Sequence, residues 1–152
     1  MRLAEALARR ADLTRRAAEL KSRAIRNSRQ QEGEEPAEDP AALLAEHDRV
    51  LAELEDIVTR VNTTNLATEI EPGATLTAAL SRRDALRARH RMRADLADAA
   101  SQRQDRYTRT ELRYVSPLDV PSLRREADDV ARQARELDTR IQEVNWTTEL
   151  LT

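Results

Sequence analysis

Side chains able to hold a metal, move a proton or grip an anion are few in this chain. The only imidazoles are His47 and His90. Inward-facing histidines can bind metal, but di-iron bundles present them in Glu-x-x-His pairs. Three residues before His47 stands Leu44, and three before His90 stands Arg87. Both histidines are therefore read as core or half-buried residues. Glu35-Pro-Ala-Glu38 and Glu53-Leu-Glu-Asp56 have the spacing by which all-helical nucleotide pyrophosphohydrolases hold magnesium. Pro36, however, puts the first pair in a loop, and 28 acidic residues make such a match cheap. There is no cysteine, so disulfides, thiolate metal sites and cysteine nucleophiles are excluded. No catalytic or nucleotide motif stands out, and no cofactor is expected.

Arginine offers more. Arg10 and Arg83 fall at equivalent places on apolar seams, and antiparallel pairing would bring each near an acid, Glu55 and Asp138 respectively. Three readings stay open: charge-assisted pairs that specify register, stems that snorkel to solvent, or a joint anion site. Arg82, Arg83, Arg87, Arg89, Arg91 and Arg93 form a basic run. Its commoner meaning is a face that is solvated or paired with acids. Asn62-Thr63-Thr64 and Asn145-Trp146-Thr147 fit the glycosylation sequon, but are read as helix C-terminal caps. Trp146, the sole tryptophan, is read as a packing residue or a partner contact.

These residues need helices to position them. Ala, Leu, Arg and Glu dominate the 152 residues, while Gly occurs twice and Phe never. Apolar residues recur at three- and four-residue spacing in four stretches, which predicts helices near 2–30, 40–62, 75–105 and 119–146. QEGEEPAEDP breaks the first helix, and Asp39-Pro40 starts the second. NTTN ends the second, because its side chains compete for backbone hydrogen bonds, and Pro72-Gly73 marks a loop. Asp119 caps the fourth helix, with Pro121 in its first turn. Between helices three and four, Tyr107 to Ser116 reads as extended.

The two halves, 1–73 and 74–152, resemble each other. Leu3, Ala6, Leu7, Arg9, Arg10 and Leu13 recur 73 residues later as Leu76, Ala79, Leu80, Arg82, Arg83 and Leu86. Glu53-Leu54-Glu55 and Val61-Asn62 recur 83 residues later as Glu136-Leu137-Asp138 and Val144-Asn145. Charge alternates too: +6 over 1–31, −10 over 32–73, +5 over 74–115 and −3 over 116–152, for a net −2. A duplicated αα-hairpin accounts for all of this and predicts an all-α, single-domain four-helix bundle with a pseudo-two-fold axis.

QEGEEPAEDP, NTTN, RRDALR and ELDTRIQEVNWTTELL together resemble a bacterial family of uncharacterised helical proteins sometimes labelled septicolysin-like. The label implies a cytolysin, and the family brings no established active site to carry over. The chain contains no apolar run near the roughly 20 residues of a membrane span, and its charged beginning, MRLAEALARR, is unlike a secretory signal. A cytoplasmic protein without membrane contact is expected.

The leading expectation is a non-catalytic interaction or structural protein with an unidentified protein partner. It is expected to form a homo-oligomer through Tyr107, Leu112 and Tyr114, the extended segment that the first half lacks. An RNA-binding module using the basic third helix is the alternative, followed by a magnesium-dependent pyrophosphohydrolase.

Overall fold

The computed structural model describes residues 1–101 and 115–152. The fold class is all-α, as expected: α1 (Leu3–Arg26), α2 (Pro40–Ala67), α3 (Leu76–Ser101) and α4 (Val120–Thr147), with one short hairpin of β1 (Glu69–Glu71) and β2 (Ala74–Thr75). Among the described residues no helix is long and apolar enough to cross a membrane. The chain forms two compact units. One comprises Met1–Leu76 and Gln142–Thr152, the other Thr77–Ile141.

In the first unit α1 and α2 pack antiparallel. Leu3, Ala6, Leu13, Ala17 and Leu20 of α1 are buried, as are Leu43, Ile57, Val61 and Thr64 of α2. Beside that seam runs a ladder of charge. Arg9 donates to Glu53 through Nε (2.9 Å) and Nη2 (2.6 Å), Arg16 donates to Glu46 (2.6 Å), and Arg23 meets Glu38. Seven-residue spacing keeps the three arginines on one edge of α1. The hydrogen bonds from Arg16 and Arg23 hold the Glu46 and Glu38 carboxyls below the usual carboxylate range, against a smaller opposing effect of desolvation.

The helix ends follow local chemistry. The Glu5 carboxylate accepts the Arg2 amide (2.7 Å) at the start of α1. Asp39 accepts from the Ala41 amide (2.9 Å), with Pro40 in the first helical position. Asp119 accepts from the Ser122 amide (3.1 Å) to start α4. Asn27 links the end of α1 to the following loop: its Nδ2 donates to the Arg23 carbonyl (3.0 Å) and its Oδ1 accepts the Glu38 amide (3.2 Å).

Two expectations are corrected here. NTTN does not end α2, which continues to Ala67. The hydroxyls of Thr59, Thr63 and Thr64 donate to carbonyls four residues back, at 3.0, 3.0 and 2.8 Å. Their hydrogen-bonding capacity is met inside the helix, so it does not unwind it. The Asn62 and Asn145 cap reading falls with this: α2 runs on past Asn62 to Ala67 and is capped by Thr68, and Asn145 is buried within α4. The Pro72-Gly73 loop is the turn of the β1–β2 hairpin, in which Glu69 pairs with Thr75 and Glu71 with Ala74. Gly73 takes φ +78, which a side chain would resist.

The first unit is closed by pairing of distant chain segments. The Leu3 amide donates to the Thr148 carbonyl and the Leu150 amide to the Met1 carbonyl, both at 2.9 Å, around an antiparallel bridge of Arg2 with Glu149. The fully buried Thr64 hydroxyl accepts the Leu151 amide (3.0 Å), and Arg60 Nε donates to the Leu151 carbonyl (3.0 Å).

In the second unit α3 and α4 are also antiparallel. Arg83 meets Asp138 (3.3 Å), Arg93 meets Glu126 (3.2 Å), and Arg124 donates to the Ser101 hydroxyl (3.3 Å). Leu86, Ala97, Ala127, Ala134 and Ile141 are buried. The registers of the two hairpins agree. Moving Arg9–Glu53 along by the sequence offsets gives Arg82–Glu136, within two residues of the observed Arg83–Asp138 pair.

Two measurements probe this fold. Thr64→Val keeps the shape but removes the acceptor for the Leu151 amide. It should cost about 1–2 kcal/mol, lowering the urea midpoint and speeding amide exchange at Leu151; unchanged exchange there would break the argument. Acid should also destabilise the protein. Glu38 and Glu46 have folded pKa values below their unfolded ones, so their contribution is present above the unfolded carboxylate value of about 4.3 and is lost as pH falls through the folded values. Melting temperature followed from neutral pH down to about 3 should drop across this window. The drop should be smaller in a Glu38→Gln, Glu46→Gln variant.

Candidate functional site

The described surface offers two places with organised chemistry, one in each unit. In the second unit, α3 and α4 enclose an open groove of about 280 Å³. Arg87, His90 and Arg91 line it from α3, one helical turn apart and so on a common face. Arg135 and Asp138 line it from α4 at a spacing of three. Ala131 and Ala134 complete the lining, and their small side chains leave the space open.

Asp138 is the hub of this groove. A single carboxylate oxygen receives Nη1 of Arg83 at 3.3 Å and Nη2 of Arg87 at 3.2 Å. The Arg83 side chain, 18% exposed, also reaches Asp84 through Nε and Nη2 at 3.0 and 2.9 Å. His90 Nδ1 lies 3.0 Å from the Ala127 carbonyl. A carbonyl only accepts, so Nδ1 carries the proton and the ring is held in place. Because the helices are antiparallel, one turn forward on α3 is one turn back on α4. Arg91 therefore stands opposite alanines, and among the described residues neither Arg91 nor Arg135 has an ion-pair partner.

In the first unit, α2 carries a second apolar stripe beside the buried one. Leu44 (58% exposed) and Leu51 (42% exposed) lie seven residues apart, with half-buried His47, Leu54 and Val58 between and after them. Asp48 and Glu55, both exposed, flank this stripe on one side.

The residues singled out from sequence are distributed as follows. Arg83 and Asp138 are brought together. Arg10 and Glu55 are not: both are exposed, and Arg9 takes Glu53. The reason is geometric. Arg9 sits on the edge of the α1 stripe, where a carboxylate of α2 can be met without burying either charge. Arg10 sits on the stripe itself, from which a long stem escapes to solvent. His47 Nδ1 is 3.7 Å from Asp48, too far for a hydrogen bond. Glu38, Glu53 and Asp56 are engaged by Arg23, Arg9 and Arg60. Among the described residues no group of three or more histidine or acidic side chains could hold a metal ion. Trp146 is 62% exposed in the last turn of α4. Tyr107, Leu112 and Tyr114 lie outside the described residues. Sequence reasoning missed Arg135 and the two groove alanines. It also missed the Leu44–Leu51 stripe, although its heptad spacing was there to be read.

A sequence model of the family of unknown function DUF6847 matches residues 10–150, so the chain belongs to that family. The chain is also similar to a functionally unknown conserved protein from Corynebacterium diphtheriae whose crystal structure is solved. The two are 44% identical, with 99% of each chain covered and a TM-score of 0.94. None of the curated proteins compared matches the chain. Neither description mentions a cytolysin.

The hub makes a prediction. Asp138→Ala leaves the partly buried Arg83 with only its neighbour Asp84, and should cost about 1–2 kcal/mol, between the values for exposed and buried pairs. Arg10→Ala should stay within about 0.5 kcal/mol, as surface changes do. Urea denaturation of both variants checks the ordering, and a larger loss for Arg10→Ala would reverse this account.

Proposed function

We propose that this member of the DUF6847 family is a non-catalytic interaction protein that receives an amphipathic helix with basic flanks on the outer face of α2. The observation that carries this reading is the exposure of Leu44 and Leu51 at heptad spacing beside Asp48 and Glu55. Leu44 is 58% and Leu51 42% exposed, so covering both buries about as much as one whole leucine, worth about 1.5–3 kcal/mol. Leucines at this spacing are what a helix laid into a groove reads.

Charge selects the occupant. A second copy of the same stripe, laid antiparallel across a two-fold axis, would set Asp48 and Glu55 against their own counterparts. A helix with lysine or arginine on the facing flank meets them favourably. A second copy seated on this stripe, an interface different from the one expected from the sequence at Tyr107, Leu112 and Tyr114, is thus the competing occupant, and it is an outcome of the same experiment.

The experiment uses two synthetic helical peptides with leucines at heptad spacing, one flanked by lysine and the other by glutamate. The wild type should bind the lysine peptide at least about 10-fold more tightly, a difference of 1.4 kcal/mol. Leu44→Asp, Leu51→Asp should lose that binding while keeping its circular dichroism spectrum. Equal binding of both peptides would overturn the reading. So would a wild-type dimer seen by light scattering that these substitutions dissociate.

A further inference from the structure

We propose that the α3–α4 groove is a binding site for a small phosphate-class polyanion. Three arginines, Arg87, Arg91 and Arg135, line it against the single carboxylate of Asp138. Its lining is therefore two positive charges in excess. Elsewhere between these two helices arginine is matched with acid: Arg83 with Asp138, and Arg93 with Glu126. Here Arg91 and Arg135 face a shared space with no acid of their own. Two like charges around one cavity repel, and an anion between them relieves the repulsion.

The groove is built to receive such a ligand. Ala131 and Ala134 supply the space, and Asp138 holds Arg87 at 3.2 Å on the groove wall. Guanidiniums present paired N–H donors that suit phosphate oxygens. A volume of about 280 Å³ lies just under the usual range for drug-sized ligands, which suits a small anion such as pyrophosphate.

The first hairpin acts as an internal control. Carried back by the sequence offsets, Arg87 and Arg91 become Thr14 and Ala18, while Arg135 becomes Ala52. Asp138 becomes Glu55, so the acid persists and all three bases are replaced. The basic lining is specific to the second copy and is not a by-product of hairpin packing.

Calorimetric titration with pyrophosphate at low salt tests the assignment. Binding is expected, weakening at least about 10-fold in Arg91→Ala, Arg135→Ala, since each charge-assisted hydrogen bond contributes appreciably. Arg82→Ala, Arg89→Ala removes the same charge from exposed positions of α3 outside the groove and should leave affinity within about 2-fold, the effect of distant screened charge. Asp138→Asn should tighten binding, because it deletes the one negative charge in the lining. No binding by the wild type would overturn the site. Equal weakening by both double variants would overturn it too, by reducing it to diffuse charge. Binding of RNA that pyrophosphate does not displace would assign the basic surface to nucleic acid instead.

Discussion

Arginine–carboxylate pairing across antiparallel helices is the interaction on which the register of this protein depends. The apolar seams cannot fix it alone. They are built largely of alanine and leucine at three- and four-residue spacing, and such a stripe matches itself again after a slide of one heptad. The charge ladder of Arg9, Arg16 and Arg23 removes only part of this ambiguity. After a seven-residue slide Arg16 would meet Glu53 and Arg23 would meet Glu46, leaving Arg9 and Glu38 alone. Contacts outside the ladder remove the ambiguity that remains. Asn27 ties Glu38 to the end of α1, and Thr64 holds the Leu151 amide while Leu3 holds Thr148. Each of these contacts joins unique partners, so no shifted arrangement reproduces them.

This division of labour explains what the sequence made legible. The helices are periodic, so they could be read. Asp39-Pro40 and Asp119 are local signals for helix starts, and both act as such. The alternation of basic and acidic segments appears as cross-helix pairing within each unit. Legibility stopped where a residue's partner is far away or its context decides. Threonines that often end a helix instead donate to their own helix, because each hydroxyl has a carbonyl within reach four residues back. The Arg2–Glu149 bridge and the five residues of β1 and β2 are too short to leave a pattern. Arg10 and Arg9 are separated by about 100° on the helix, and periodicity alone did not say which of them reaches an acid.

The candidate surfaces were legible only in pieces. Arg87 and Arg91 belong to a conspicuous basic run, but nothing in that run names Arg135 as their counterpart. A groove is a relation between two helices, and it appears only when register is known. The α2 stripe, by contrast, is contained in one helix. It was obscured because Leu43 and Leu44 are adjacent, so that two stripes overlap in the same heptads, one facing α1 and the other solvent.

Under the sequence offsets, these two surfaces fall at corresponding positions of the two hairpins. Leu51 of α2 corresponds to Ala134 of α4, and Ala52 corresponds to Arg135. In the first hairpin a large apolar side chain stands at 51, 42% exposed, next to a small one. In the second hairpin the small residue is buried at 134, and the neighbouring position carries a guanidinium. With large and small exchanged between these adjacent positions, one hairpin carries an apolar ridge and the other a groove lined by arginine, in the same antiparallel arrangement. The pairing that sets register is carried by Arg9–Glu53 in one hairpin and Arg83–Asp138 in the other, at positions outside this difference. A helical hairpin whose register is held by charge at the edge of its seam can therefore change the chemistry of its outer face at little cost to its fold. In this chain the two hairpins differ in that respect: α2 presents Leu51 to solvent, and α4 presents Arg135 to the groove.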